Sequence, residues 1–202
     1  MERPAIFVDK DGTLVENYPY NVNPALLRFM DGALEALGAL ALGGYALVVV
    51  TNQSGIGRGF FTREQFALLQ AELLRRIWDE AGIRFDDFLV CPHSPGRDGR
   101  PACLCRKPAP GLLTRAARRH GLDLRRSWIV GDTLDDVEAG HRAGCRGLLL
   151  DSGGETVWRR SPLREPEGVC GSWAEVARTV LGAPQRPPLT ADQDSAYSFR
   201  RL

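Results

Sequence analysis

An apolar run, Ala5-Ile6-Phe7-Val8, delivers the string Asp9-Lys10-Asp11-Gly12-Thr13. In open α/β sheets ligands bind at the carboxyl ends of strands. Alternation along an extended chain turns Asp9 and Asp11 to one side and Lys10 to the other. Two carboxylates so close repel, so one is protonated or a cation lies between them. Two further apolar runs end in chemistry. Val48-Val49-Val50 leads into Thr51-Asn52-Gln53-Ser54-Gly55-Ile56-Gly57-Arg58-Gly59, where a hydroxyl, amides and glycines can offer donors to an anion. Trp128-Ile129-Val130 leads into Gly131-Asp132-Thr133-Leu134-Asp135-Asp136, a third group of acids. Asp9, Asp132 and a backbone carbonyl make the oxygen set that a hard cation such as Mg²⁺ takes.

A second constellation is softer. Cys91-Pro92-His93 and Cys103-Leu104-Cys105 together supply three thiols and an imidazole, the donor set of a closed tetrahedral Zn²⁺ site. The loop between them carries Pro95, Gly96, Gly99 and Pro101 and has little of its own to hold one shape. Four protein ligands leave no open position, so this zinc is structural and fixes the loop (about 91–105) that runs into Arg106-Lys107-Pro108. Cys145 and Cys170 read as isolated thiols, and His120 and His141 as helical residues with no specific task. Of 26 basic residues only Lys10 and Lys107 are lysines. Lys107 reads as a compact charge kept for a purpose, and Lys10 as a tolerated surface residue.

These groups need a frame. Strands are predicted at Ala5–Asp9, Ala46–Thr51, Asp87–Cys91, Trp128–Asp132 and Gly147–Asp151. Helical patterns lie near Gly32–Leu42, Thr62–Gly82, Gly111–His120 and Asp135–Ala143, with a last helix from Ser172 to about Leu181. Alternation of this kind implies a parallel sheet covered by helices on both faces. The segment Gly153–Gly168 reads as a polar, arginine-rich loop. One domain is expected over 1–182, followed by a disordered tail over 183–202 rich in proline and polar residues. A net charge of +1 speaks against a nucleic-acid partner. No stretch is long and apolar enough for a membrane span, and the first strand begins too early for a leader, so a cytoplasmic protein is expected. A monomer is expected too.

The order DxDGT, then TN, then the lysine of RKP, then GDxxxD resembles the haloacid dehalogenase superfamily of aspartate-dependent phosphatases, over roughly Ala5 to Asp151. The resemblance implies a Rossmann-like, three-layer fold in which Asp9 is the nucleophile and forms an aspartyl phosphate. It makes Asp11 the general acid and then the base. Thr51 and Lys107 would hold the phosphoryl oxygens, and Asp9, the Asp11 carbonyl and Asp132 would bind Mg²⁺. The intervals Thr13 to Thr51 and Thr51 to Lys107 are filled by helices, strands and the cysteine loop, so no cap domain fits and the site should be open.

Within the superfamily, the CxH…CxC loop, TNQSGIGRG and CRKP resemble the bacterial heptose 1,7-bisphosphate phosphatases, and histidinol-phosphate phosphatases share much of the pattern. That likeness implies substrate contacts from Asn17, Tyr18, Tyr20, Asn52, Gln53, Ser54 and Arg106, with Arg106 recognising a distal phosphate. It implies release of the 7-phosphate of a sugar bisphosphate. Thr133 stands where the heptose enzymes have a substrate-contacting lysine and the histidinol-phosphate enzymes tend to have arginine, so this substrate-facing position favours neither. Nucleic-acid 3′-phosphatases also use a DxDGT…TNQxGI pattern, but the charge balance disfavours them. A zinc-stabilised, non-catalytic interaction domain is disfavoured by the intact acids and Lys107.

Overall fold

The computed structural model describes residues 2–96 and 103–184. The expected tail lies almost wholly outside the described residues, as does the tip of the cysteine loop. Six parallel strands form one sheet: β1 (Ala5–Val8), β2 (Ala46–Asn52), β3 (Asp87–Cys91), β4 (Trp128–Gly131), β5 (Arg146–Leu150) and β6 (Gly168–Cys170), in the order β3-β2-β1-β4-β5-β6. The chain winds outward from β1 through β2 to β3, then returns to the other side of β1 and winds outward again. β1 therefore pairs with both β2 and β4, with Val8 beside Val49 on one side and Val130 on the other. Strand direction reverses its winding between β1 and β4, which opens a crevice at their carboxyl ends.

Among the described residues there are six α-helices: α1 (Ala33–Leu42), α2 (Ser54–Gly57), α3 (Arg63–Ala81), α4 (Gly111–His120), α5 (Leu134–Ala143) and α6 (Trp173–Gly182). Side chains alternate across β1 as the strand period requires. Ile6 and Val8 pack in the layer of α1, α3 and α6 with Leu37, Leu73 and Val176. Ala5 and Phe7 pack in the opposite layer with Leu112, Leu113 and Ala139 of α4 and α5. With both faces covered, the inner strands carry almost no polar residue before their last positions, which is why they read as unbroken apolar runs.

Helix starts follow local chemistry. Thr62 accepts from the Gln65 N–H while Gln65 Oε1 accepts from the Thr62 N–H, a reciprocal cap. Ser172 similarly accepts from Glu175 before α6. Three expectations need correction. The short edge strand β6 arises at the end of the stretch read as loop, because its backbone ladder to β5 supplies the hydrogen bonds that three residues cannot advertise in sequence. His120 is not idle: its Nε2 lies 2.8 Å from Asp87 Oδ2 and ties α4 to β3. Nor is His141, which bridges the Leu163 carbonyl (3.0 Å) and Glu167 Oε2 (3.0 Å) between α5 and the chain before β6.

Candidate active site

The carboxyl ends of β1, β2 and β4 converge on Asp9. Its N–H donates to the Val130 carbonyl at 3.0 Å, extending the β1–β4 ladder one residue and fixing the backbone under the carboxylate. Lys107 reaches in from the far side, almost fully buried. Its Nζ lies 2.5 Å from Asp9 Oδ1, 2.5 Å from Asp136 Oδ1 and 2.8 Å from the Val50 carbonyl. The lysine backbone is clamped in turn by Asn52, whose Oδ1 accepts from the Lys107 N–H (3.1 Å) and whose Nδ2 donates to the Lys107 carbonyl (3.2 Å).

Asp9, Asp132 and Asp136 are all buried, and each offers a carboxylate oxygen within 4.8 Å of the others. Burial pushes the Asp9 carboxyl up to about 8 against the pull of Lys107, and Asp136 and Asp132 raise it further. Burial likewise lifts Asp132 to about 7, with Asp136 adding to the rise. Lys107 is held charged because Asp136 and Asp9 outweigh its burial. Three acids facing a single ammonium leave an excess of negative charge in a dry place, which a hard divalent cation relieves. The donor set fits Mg²⁺.

Asp136 is the residue that sequence reading passed over for this cluster. It lies one helical turn into α5, and its Oδ2 also accepts from the hydroxyl (2.6 Å) and N–H (3.3 Å) of Thr133. The Thr133 hydroxyl thus bonds Asp136, while the residue still lines the cavity over the site, where it was expected. The Asp11 carboxylate stands outside the cluster. It accepts from Lys10 Nζ on one oxygen and from Gln53 Nε2 (2.8 Å) on the other. Lys10 is therefore not a surface residue: it is buried, 2% exposed, because the chain turns after Val8 and folds its ammonium back onto Asp11.

Gln53 also donates to Thr51 Oγ1 at 2.9 Å, so one amide joins the expected phosphate ligand to the expected proton carrier. Above this floor opens a cavity of about 400 Å³ with Asn17, Tyr18, Tyr20, Ser54 and Arg106 on its walls. Tyr20 sits in the left-handed region (φ +58°), edge-on to Phe60 at 4.7 Å, and accepts from Arg58 Nη1 at 3.1 Å. Asn52 and Gln53 also line the cavity, but their amides are committed to Lys107, Thr51 and Asp11. Two of the glycines after β2 also answer to close packing. A Cβ on Gly55 would fall 2.1 Å from the Phe61 ring, and one on Gly57 would fall 2.7 Å from the Pro92 carbonyl.

That last contact joins the site to the cysteine loop. Cys91, Cys103 and Cys105 hold their sulfurs 3.3 to 3.6 Å apart, and His93 Nδ1 lies 3.6 Å from Cys91 and 3.3 Å from Cys105. Tetrahedral Zn²⁺ with sulfur at about 2.3 Å would set its ligand atoms roughly 3.3–3.8 Å apart, so these four donors fit zinc. Burial pushes the Cys91 thiol up, and a cation is what lets it ionise there. Arg106 Nη1 donates to the His93 carbonyl at 3.2 Å, and the Gly111 N–H donates to the Leu104 carbonyl at 3.0 Å. The loop thereby hands its order to Arg106, Lys107 and the start of α4.

A parallel sheet with an acid string after β1, a hydroxyl at the end of β2 and further acids after β4 is the arrangement of haloacid-dehalogenase-like phosphatases. A family profile described as HAD-hydrolase-like matches residues 104–176. The D-glycero-β-D-manno-heptose-1,7-bisphosphate 7-phosphatase of Pasteurella multocida is 38% identical over 182 residues, 89% of this chain and 98% of that protein. The enzyme of that name from Escherichia coli K12 is 38% identical over 157 residues, covering 76% and 82%. The crystal structure of a D,D-heptose 1,7-bisphosphate phosphatase from B. bronchiseptica, complexed with magnesium and phosphate, matches with a TM-score of 0.76 and 31% identity over 89% of this chain and 98% of that one. The chain belongs to the family of these phosphatases.

Proposed function

We propose that the protein removes the 7-phosphate of D-glycero-β-D-manno-heptose 1,7-bisphosphate, with Mg²⁺ at Asp9, Asp132, Asp136 and the Asp11 carbonyl and with structural Zn²⁺ at Cys91, His93, Cys103 and Cys105. The observation that carries this reading is the contact of Lys107 with Asp9 at the floor of an open cavity whose rim holds Arg106. The related enzymes named above supply the substrate. The cytoplasm and a monomeric state are part of the proposal. No described helix is long and apolar enough to cross a membrane, and a charge of +1 gives no general attraction to nucleic acid.

Asp9 attacks phosphorus and forms an aspartyl phosphate, which divides the hydrolysis into two displacements. Lys107 neutralises charge on the equatorial oxygens, and the Thr51 hydroxyl fixes one of them. Asp11, steadied by Gln53 and Lys10, gives its proton to the departing sugar oxygen. It then takes one from the water that attacks the acyl phosphate. Bound Mg²⁺ supplies the positive charge that lets an anionic carboxylate approach an anionic phosphate. With Thr133 turned to Asp136, the distal phosphate falls to Arg106, whose planar fork suits it.

The test compares Mg²⁺-dependent phosphate release from the heptose bisphosphate, fructose 1,6-bisphosphate, histidinol phosphate and a 3′-phosphorylated oligonucleotide. The heptose should lead in kcat/KM, and Asp9→Asn should abolish turnover. A large preference for histidinol phosphate or the oligonucleotide overturns the substrate.

A further inference from the structure

The loop after β5 borders the site, yet the reaction makes no use of it. Its first residues are tied down. Ser152 Oγ donates to the Gly12 carbonyl at 2.7 Å. Glu155 Oε2 accepts from the N–H of Leu134, the first residue of α5, at 2.8 Å, and its Oε1 accepts from the Val157 N–H at 2.8 Å. Between these anchors Gly154 lies directly on the Asp132 carboxylate. A Cβ there would fall 1.9 Å from Asp132 Oδ2 and 2.6 Å from its Cγ. A Cβ on Gly12 would fall 2.1 Å from the same oxygen. Asp132 Oδ1 accepts from Thr13 Oγ1 at 3.4 Å, and the Thr13 carbonyl is itself held by Trp173 Nε1 at 2.9 Å.

The two neighbouring glycines differ in kind. Gly153 has φ +82° and open space where a Cβ would go, so it answers to backbone shape. Gly154 has no such backbone, and what it answers to is the carboxylate.

We propose that residues 152–155 form a strap that sets the orientation of Asp132 for its cation, with Gly154 as a positioning residue. The inference rests on the proposed Mg²⁺ role of Asp132. A carboxylate walled by two glycine backbones cannot swing away, and Mg²⁺ tolerates little departure from octahedral geometry. Groups that orient a metal ligand without touching the metal are commonly worth about 10–100-fold in affinity.

The test is calorimetric titration of Mg²⁺ into the metal-free full chain, paired with thermal unfolding of the same sample. Gly154→Ala should weaken Mg²⁺ binding about tenfold or more. Its metal-free Tm should fall as well, because the added methyl must displace a buried carboxylate, and kcat should recover at saturating Mg²⁺. Gly153→Ala should lower the metal-free Tm and leave Mg²⁺ affinity unchanged. Should Gly154→Ala fail to fold, Ser152→Ala removes one anchor without adding volume and should weaken Mg²⁺ about threefold or more. Unchanged Mg²⁺ affinity in the folded strap variant, or an equal loss in Gly153→Ala, overturns the strap. A parent chain that binds Mg²⁺ but leaves the heptose bisphosphate intact overturns the proposed substrate instead, and the calorimetric comparison still decides the strap.

Discussion

Lys107 is placed by its own backbone more than by its length. Both polar atoms of the Asn52 side chain grip the Lys107 peptide, so an ammonium four methylenes away arrives between two acids. Asn52→Leu should therefore lower kcat by about 10²-fold, the scale of a misplacement near 1 Å, while KM moves little. Stopped assays at saturating substrate check this, and an unchanged kcat would return Asn52 to substrate contact. Arg106 should divide the other way. Arg106→Ala should raise KM for the bisphosphate about tenfold or more while leaving KM for a monophosphate nearly unchanged.

Much of this scale was legible from residue types alone. Asp9 and Asp132 stand out because each follows an apolar run, and Lys107 because it is one of only two lysines; the roles expected of them came from the family resemblance. Asp136 and Lys10 were harder. Asp136 sits in a run of acids after β4, where helix-cap chemistry and site chemistry use the same residue, and here it does both. Lys10 is buried by a turn that strand alternation cannot foresee.

At the scale of elements, the cysteine loop acts as a brace between α2, Lys107 and α4. Removing the proposed zinc should free all three at once. Chelation of zinc, or Cys105→Ser, should lower kcat by about tenfold or more, with the far-ultraviolet spectrum nearly unchanged. Full activity without zinc would sink the brace. Gly111 marks the junction: a Cβ there would fall 2.1 Å from the Leu104 carbonyl, so Gly111→Ala should cost about 1–3 kcal/mol in stability. Denaturant unfolding reads that directly. The long elements were visible in the sequence, whereas α2 and β6 were not. A four-residue helix and a three-residue strand are too short for periodicity, and both exist because neighbours complete their hydrogen bonds.

At the scale of the molecule, two histidine–carboxylate pairs tie helices to the sheet away from the site. Burial alone would raise the Asp87 carboxyl, but His120, the Phe88 N–H and Arg119 together hold it below its ordinary value. Glu167 is likewise lowered, its burial outweighed by His141 and the Gly147 N–H. A carboxyl depressed in the folded state adds stability above its unfolded pKa and loses it as pH falls through the folded value. Stability should thus drop on acidification below about pH 4, and Glu167→Gln should flatten part of that slope in thermal unfolding scans. The parallel topology was legible because strand-like runs alternate with helical patterns along the chain. The return of β4 to the side of β1 has no local signal, and it is what brings Asp132 and Asp136 to Asp9.

The two lysines have a practical consequence. Both are buried, Lys10 at 2% and Lys107 at 3% exposure, and the remaining side-chain cations are guanidinium groups. The outer surface thus offers no lysine amine to an acylating reagent. Acylation of a lysine, read by mass spectrometry, would report the opening of the reaction centre, and bound phosphate should protect Lys107 first.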